Sequence, residues 1–170
     1  MGPFSLNSEN QITLMGPSAT FELGLRFGKV FEAGGMICLD GPMGSGKTTF
    51  AQGFAIGLGV PEETVITSPT FTVVAEHHSG RIPLFHFDFY RIERISELEN
   101  IGFYEYLERG GASVIEWASM FIESLPESRI HVTFLNVESQ ESRIADIRGS
   151  DARTREIVHS VVQSIGTRCI

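Results

Sequence analysis

The chain has no surplus of positive charge. Its 13 lysines and arginines are outnumbered by 21 aspartates and glutamates, for a formal net charge of −8. A protein that grips nucleic acid unaided neutralises phosphates with a basic face, so autonomous tRNA or DNA binding is not expected. Long apolar runs are missing as well. None approaches the roughly 20 residues that cross a bilayer, so no membrane span is expected. The first ten residues, MGPFSLNSEN, lack the basic and apolar regions of a secretory signal. Leu6 stands where a myristoylation signal carries Ser or Thr. Cysteine is scarce, and Cys38 and Cys169 have no metal-ligand spacing. Cys38, inside an apolar run, reads as a reduced thiol in a cytoplasmic protein. Repeats, low-complexity segments and linkers are absent too. The 170 residues therefore read as one domain over 1–170, with 1–10 and 151–170 as flexible or peripheral ends. None of the four asparagines precedes a lysine. That removes the Asn-Lys-x-Asp guanine-reading motif and disfavours a GTPase.

What is present is an alternation of short apolar runs and amphipathic stretches. Residues 11–14 form a strand candidate, and Gly16-Pro17-Ser18 reads as a helix start with Ser18 as N-cap. That helix is expected to reach about Phe31, with Leu23, Phe27 and Phe31 on one face, and Gly34-Gly35 stops it. Residues 36–40 read as a buried strand. The next helix carries Phe50, Phe54 and Leu58 on one stripe and ends at Gly59-Val60-Pro61. Residues 71–77 and 82–88 read as strands of a hairpin around Ser79-Gly80. Ser96 is the expected cap of a short helix, and 113–117 a short strand after Gly110-Gly111. Residues 129–137 and 142–149 read as a second antiparallel pair with 138–140 as its turn. The tail after Asp151 is a helix bearing Ile157, Val161 and Ile165, or it frays. The sum is an α/β fold: a mixed sheet flanked by helices, with antiparallel edge hairpins.

One stretch carries chemistry outright. Gly41-x-x-x-x-Gly46-Lys47-Thr48, within ICLDGPMGSGKTTF, fits the P-loop pattern in full. Its glycines allow a backbone curl whose N–H groups face a phosphate, and the following helix aims its N-terminal dipole at the same anion. Lys47 supplies a point charge for the β- and γ-phosphates, and the Thr48 hydroxyl suits Mg²⁺. Gly44, Ser45, Gly46, Lys47, Thr48 and Thr49 are therefore the expected nucleotide-binding residues, with ATP and Mg²⁺ as cofactors. A P-loop enzyme also needs an acidic residue at the end of a neighbouring strand, to hold Mg²⁺ or orient a water. Two apolar runs end that way: LFHFDFY in Asp88, and SVIEW in Glu116.

At this point the sequence resembles the TsaE family, the small P-loop ATPases of bacterial tRNA threonylcarbamoyladenosine biosynthesis. The resemblance rests on ordered motifs over roughly residues 17–148: GPMGSGKTTF from Gly41, SPTF from Ser68, HFDFYR from His86, and EW at Glu116-Trp117. It implies slow ATP hydrolysis and association with the TsaB–TsaD heterodimer, in which TsaD transfers the threonylcarbamoyl group to adenosine in tRNA. By position, Thr48 and Glu116 match the Mg²⁺ ligands. Asp88 matches the acidic residue near the attacking water. Ser68–Phe71 matches a switch-like loop near the γ-phosphate, with Thr70 as the expected catalytic residue beside Asp88. The family's P-loops commonly carry an acidic residue where this chain has Pro42. The phosphate cradle is expected to use mainly N–H groups from Gly44 onward, so binding survives that change.

Other residues read more plainly. His86 and Asp88, two apart on a strand, share a face. With no third ligand clustered near them, His86 reads as a hydrogen-bonded core histidine. Trp117, the single tryptophan, reads either as core packing or as a neighbour of the nucleotide. Two other functions fit the P-loop: a small-molecule or nucleoside kinase, for which Arg91 and Arg94 are a thin version of the closing arginines, and a nucleotide-sensing assembly module without turnover.

Overall fold

The computed structural model describes residues 3–7, 10–135 and 142–166. The strands are β1 (Phe4–Leu6), β2 (Gln11–Met15), β3 (Met36–Asp40), β4 (Val74–His77), β5 (Leu84–Asp88), β6 (Ala112–Glu116), β7 (Ile130–Leu135) and β8 (Ser142–Gly149). The α-helices are α1 (Gly16–Val30), α2 (Lys47–Gly57), α3 (Ile95–Asn100), α4 (Phe103–Glu108) and α5 (Ala152–Gly166), with a kinked 3-10 stretch over Ala118–Ser124. The strands form one mixed sheet in the order β1-β2-β8-β7-β3-β6-β5-β4.

Its centre is parallel: β3 pairs with β6 and β7, and β6 with β5. These strands are covered on both faces, which is why they read as unbroken apolar runs. Ile37 and Leu39 face a cluster shared with α1, α2 and α5 through Phe27, Phe50, Phe54 and Val161. Met36 and Cys38 face a second cluster with Phe85, Phe87, Phe89 and Phe103. Burial pushes the Cys38 thiol up to about 12, so it stays an uncharged packing group. The edges are antiparallel. β4 closes one side against β5, and β8, β2 and β1 close the other. Because the central strands run in parallel, Asp40, Asp88 and Glu116 all emerge at one rim of the sheet, where open α/β sheets take their ligands.

Several local expectations need correction. Ser18 caps nothing. Met15 holds the N-cap position of α1 without a side-chain bond, and a proline stands in the first turn, where its missing N–H costs no hydrogen bond. Ser96 lies inside α3, whose N-cap is Arg94. β4 begins at Val74 rather than at 71, because Val73 takes φ 67, a left-handed conformation that stops a strand. The turn expected at 138–140 and Cys169 lie outside the described residues. The tail is helical, and Val158, Val161 and Ile165 are buried against the core.

Helices α1 and α2 touch backbone to backbone. A methyl group on Gly24 would lie 2.1 Å from the Phe50 carbonyl oxygen, and one on Gly53 would lie 1.9 Å from that of Phe21. In an open helix, Gly→Ala stabilises by roughly 1 kcal/mol. Here overpacking reverses the sign. Gly53→Ala should lower the unfolding free energy by about 3 kcal/mol in urea titration. A variant as stable as wild type would show that the helices separate at little cost. The contact matters to the site because α2 begins at Lys47.

Candidate functional site

The loop between β3 and α2 is built by glycines in conformations other residues avoid. Gly41, Gly44 and Gly46 take φ of 137, 75 and 110. Gly41 has a second reason: a methyl group there would stand 2.7 Å from the Phe134 carbonyl oxygen. The curl leaves a cavity of about 300 Å³ at the rim. Gly44, Ser45, Gly46, Lys47, Thr48, Thr49, Thr70, Asp88 and Glu116 all line it. The sequence-predicted residues, drawn from four segments of the chain, are thus brought to one place.

Lys47 is buried and donates to the Gly41 and Pro42 carbonyl oxygens at 2.8 and 2.9 Å. Its ammonium sits 4.0 Å from the centre of the Trp117 ring, a cation–π distance. Burial pulls the Lys47 ammonium below the usual lysine range, while Glu116, Asp40 and Asp88 pull it back up. The Thr48 hydroxyl lies 3.0 and 3.1 Å from the two Glu116 oxygens. Glu116 is buried, and its Oε1 is also 3.0 Å from Nε2 of the fully buried His86. His86 therefore fixes the carboxylate from behind, which agrees with its reading as a hydrogen-bonded histidine. No group of three or more His, Cys, Asp or Glu side chains suited to a metal exists among the described residues. A hydroxyl and one carboxylate side by side nevertheless form the hard oxygen pair that Mg²⁺ accepts when phosphates and waters complete its shell.

Asp88 stands opposite Glu116 in the β5–β6 register. It collects the loop that carries Thr70: its Oδ2 accepts from Ser68 Oγ and, at 2.7 Å, from Thr70 Oγ1. Its Oδ1 accepts from the Tyr90 backbone N–H at 2.9 Å. Gln52 of α2 reaches the same loop through the Ile66 carbonyl oxygen, at 2.9 Å.

The expected strand over 113–117 stops one residue early. Trp117 has φ 61, a left-handed backbone for a bulky residue, and strain of that kind concentrates at functional sites. Strict strand alternation would send Trp117 and Glu116 to opposite faces. The break lets both line the cavity, with the Tyr90 ring 5.1 Å from the indole. Arg91 is directed elsewhere: its guanidinium lies 4.2 Å from the centre of the exposed Phe71 ring, and it does not line the cavity. Three lining residues have no role assigned from the sequence: Met43, which sits inside GPMGSGKTTF, Tyr90 and Arg143. Tyr90 sits inside HFDFYR, so its place was within reach of the sequence. Arg143 lies in no motif.

The family model for "Threonylcarbamoyl adenosine biosynthesis protein TsaE" matches residues 14–145. Curated relatives carry the description "tRNA threonylcarbamoyladenosine biosynthesis protein TsaE". That of Bacillus subtilis is 40% identical over 113 residues, covering 66% of this chain and 69% of the relative. That of a Nostoc species is 36% identical over 146 residues, covering 84% and 88%. Among solved structures, Bacillus subtilis YdiB superposes with a TM-score of 0.77 at 26% identity, covering 91% of this chain and 95% of that one.

Proposed function

The chain belongs to the TsaE family of threonylcarbamoyl adenosine biosynthesis proteins, and from that premise we propose that it is a cytoplasmic, Mg²⁺-dependent ATP-binding protein that hydrolyses ATP slowly. It does so in support of tRNA threonylcarbamoyladenosine formation by a TsaB–TsaD heterodimer. The observation that carries the proposal is the meeting of Thr48 and Glu116, 68 residues apart in the chain, at the mouth of a P-loop whose lysine is buried. The family places the protein in tRNA modification. The ATPase step and the partner rest on the site and on the resemblance.

Each residue then has a task. The N–H groups from Gly44 to Thr49 and the Lys47 ammonium hold the phosphates. Thr48 and Glu116 hold Mg²⁺, with His86 fixing the orientation of Glu116. Bound Mg²⁺ supplies neutralisation of the charge that develops on the transferring phosphoryl group. Asp88 orients the attacking water. Thr70 and Ser68, bonded to Asp88, couple that carboxylate to a loop that responds to the γ-phosphate. The kinase alternative asks for arginines that close over an acceptor. Arg91 and Arg94 are not in the cavity wall, which favours hydrolysis.

The direct test of nucleotide binding uses Trp117, packed on Lys47. Saturating Mg-ATP should shift the intrinsic tryptophan emission, and Lys47→Ala should lose that response at the same nucleotide concentration. Unmoved emission with binding established by calorimetry would take Trp117 out of the site.

A further inference from the structure

Arginines in this chain are mostly matched. Arg26, Arg109, Arg148 and Arg153 each meet a carboxylate, while Arg81 and Arg129 donate to backbone carbonyl oxygens. Arg143 differs. It lines the P-loop cavity, and its Nη1 is sealed from solvent with no hydrogen-bond partner among the described residues. Leaving a charged donor shielded and unpaired costs more than a typical hydrogen bond returns, so such a group implies an anion that completes it. Two more polar atoms, Ser45 Oγ in the loop and Thr20 Oγ1 of α1, are shielded and without a hydrogen-bond partner among the described residues. A methyl group added to Gly46 would meet Thr20 Cγ2 at 3.2 Å and the Arg143 Cδ and Nε atoms at 3.6 Å. The arginine thus lies across the last glycine before α2.

Its position in the sheet says which part of a nucleotide it faces. β8 pairs with β7, which lies on one side of β3; β6 and β5, which bring Glu116 and Asp88, lie on the other. Arg143 pairs with Leu14 of β2 and shares a face with the buried Ala145 and Ile147, the face on which α2 packs. The P-loop therefore stands between two flanks. One carries the hydroxyl–carboxylate pair suited to Mg²⁺, and with it the γ-phosphate. The other carries Arg143.

We propose that Arg143 is a nucleotide-binding residue that grips the α-phosphate end of the bound nucleotide, across the P-loop from the reacting γ-phosphate. This rests on the ATP-binding reading above. It makes Arg143 a ground-state anchor and not an arginine finger. A contact made equally in substrate and transition state changes KM and leaves kcat alone.

The experiment titrates ATP and ADP, each with Mg²⁺, into wild type, Arg143→Met and Arg143→Lys. Phosphate release at saturating ATP is measured in parallel, and circular dichroism monitors folding. Arg143→Met should weaken ATP and ADP by the same factor, at least about tenfold for a lost charge-assisted contact. KM should rise with it and kcat should stay within about twofold. Arg143→Lys should recover part of the affinity, because it keeps the charge and loses the fork. Should Arg143→Met fail to fold, Arg143→Lys carries the same ATP-against-ADP comparison at a smaller amplitude. Loss of ATP affinity with ADP affinity kept, or a fall in kcat at constant KM, would place Arg143 at the γ-phosphate and overturn the proposal. Unchanged affinity for both nucleotides would overturn it as well. A wild type that binds neither nucleotide would instead refute the ATP-binding reading beneath it.

Discussion

Lys47→Ala should lose Mg-ATP affinity by about a hundredfold, close to 3 kcal/mol. Two effects act in the same direction. Lys47 is buried, and it lines the cavity proposed to take the phosphates. Removing it leaves several negative charges in a place where water cannot fully compensate them. The Gly41 and Pro42 carbonyl oxygens also lose the donor that now holds the loop, at 2.8 and 2.9 Å. Burial already presses Lys47 toward its neutral form, with Glu116, Asp40 and Asp88 opposing. A bound polyphosphate adds further opposition, so the lysine is charged when nucleotide is present. Lys47→Arg is not a rescue. The guanidinium is planar and larger, and it cannot stand where a compact ammonium fits between two carbonyls and an indole ring. Calorimetric titration measures the loss directly. Equal affinity in the variant would remove the P-loop from nucleotide binding.

The second large effect separates the two carboxylates. Asp88→Asn should bind Mg-ATP within about threefold of wild type and turn it over about a hundredfold more slowly, the scale set by a positioned general base or water-orienting group. The shape is kept. The carboxylate oxygen that accepts from Ser68 and Thr70 is the one at stake, and an amide rotated to keep that acceptor turns its NH₂ toward the Tyr90 N–H. The contact with the loop hydroxyls is then kept and the one with the Tyr90 N–H is lost, so binding is largely preserved and the effect falls on kcat. Glu116→Ala acts differently. It strips the carboxylate that Thr48 and His86 share and should weaken Mg²⁺-dependent binding at least about tenfold. It also strands the buried His86 imidazole. If Asp88→Asn abolished binding while Glu116→Ala bound and hydrolysed normally, the two roles would be exchanged.

Much of this site was legible because its parts are local in sequence. A P-loop is one strand, one turn and one helix in succession, and its glycines are required by backbone conformation alone. Asp88 and Glu116 were legible because each ends an apolar run, and parallel strands bring their ends to one rim. The contacts between these pieces were not legible. Nothing in HFDFYR says that His86 reaches Glu116 across the β5–β6 pair, because that depends on register. Trp117 was placed at a strand end, but its left-handed backbone, which turns the ring onto Lys47, is imposed by tertiary packing. Arg143 left no trace. It sits in a half-polar strand late in the chain, and an arginine there reads as surface charge until β8 is known to lie beside β7 and β2. The weak local choices failed for a related reason. Ser18 and Ser96 have the chemistry of caps, yet a proline in the first turn and the packing of Leu98 set those helices three and two residues earlier.

The proposed activity is hydrolysis of Mg-ATP for the tRNA-modifying complex, rather than transfer of the phosphoryl group to an acceptor or sensing of the nucleotide alone. It is tested most directly by phosphate release from Mg-ATP, measured for the chain alone, with TsaB–TsaD, and with Lys47→Ala in place of wild type. Among the described residues no arginine lines the Glu116–Asp88 flank of the cavity, and a missing charge there can be supplied in trans. The expected result is slow release by the lone chain, a clear rise on adding TsaB–TsaD, and none with Lys47→Ala under either condition. Tight Mg-ATP binding with no phosphate released even with both partners present would contradict the claim. So would γ-phosphate recovered on an organic acceptor.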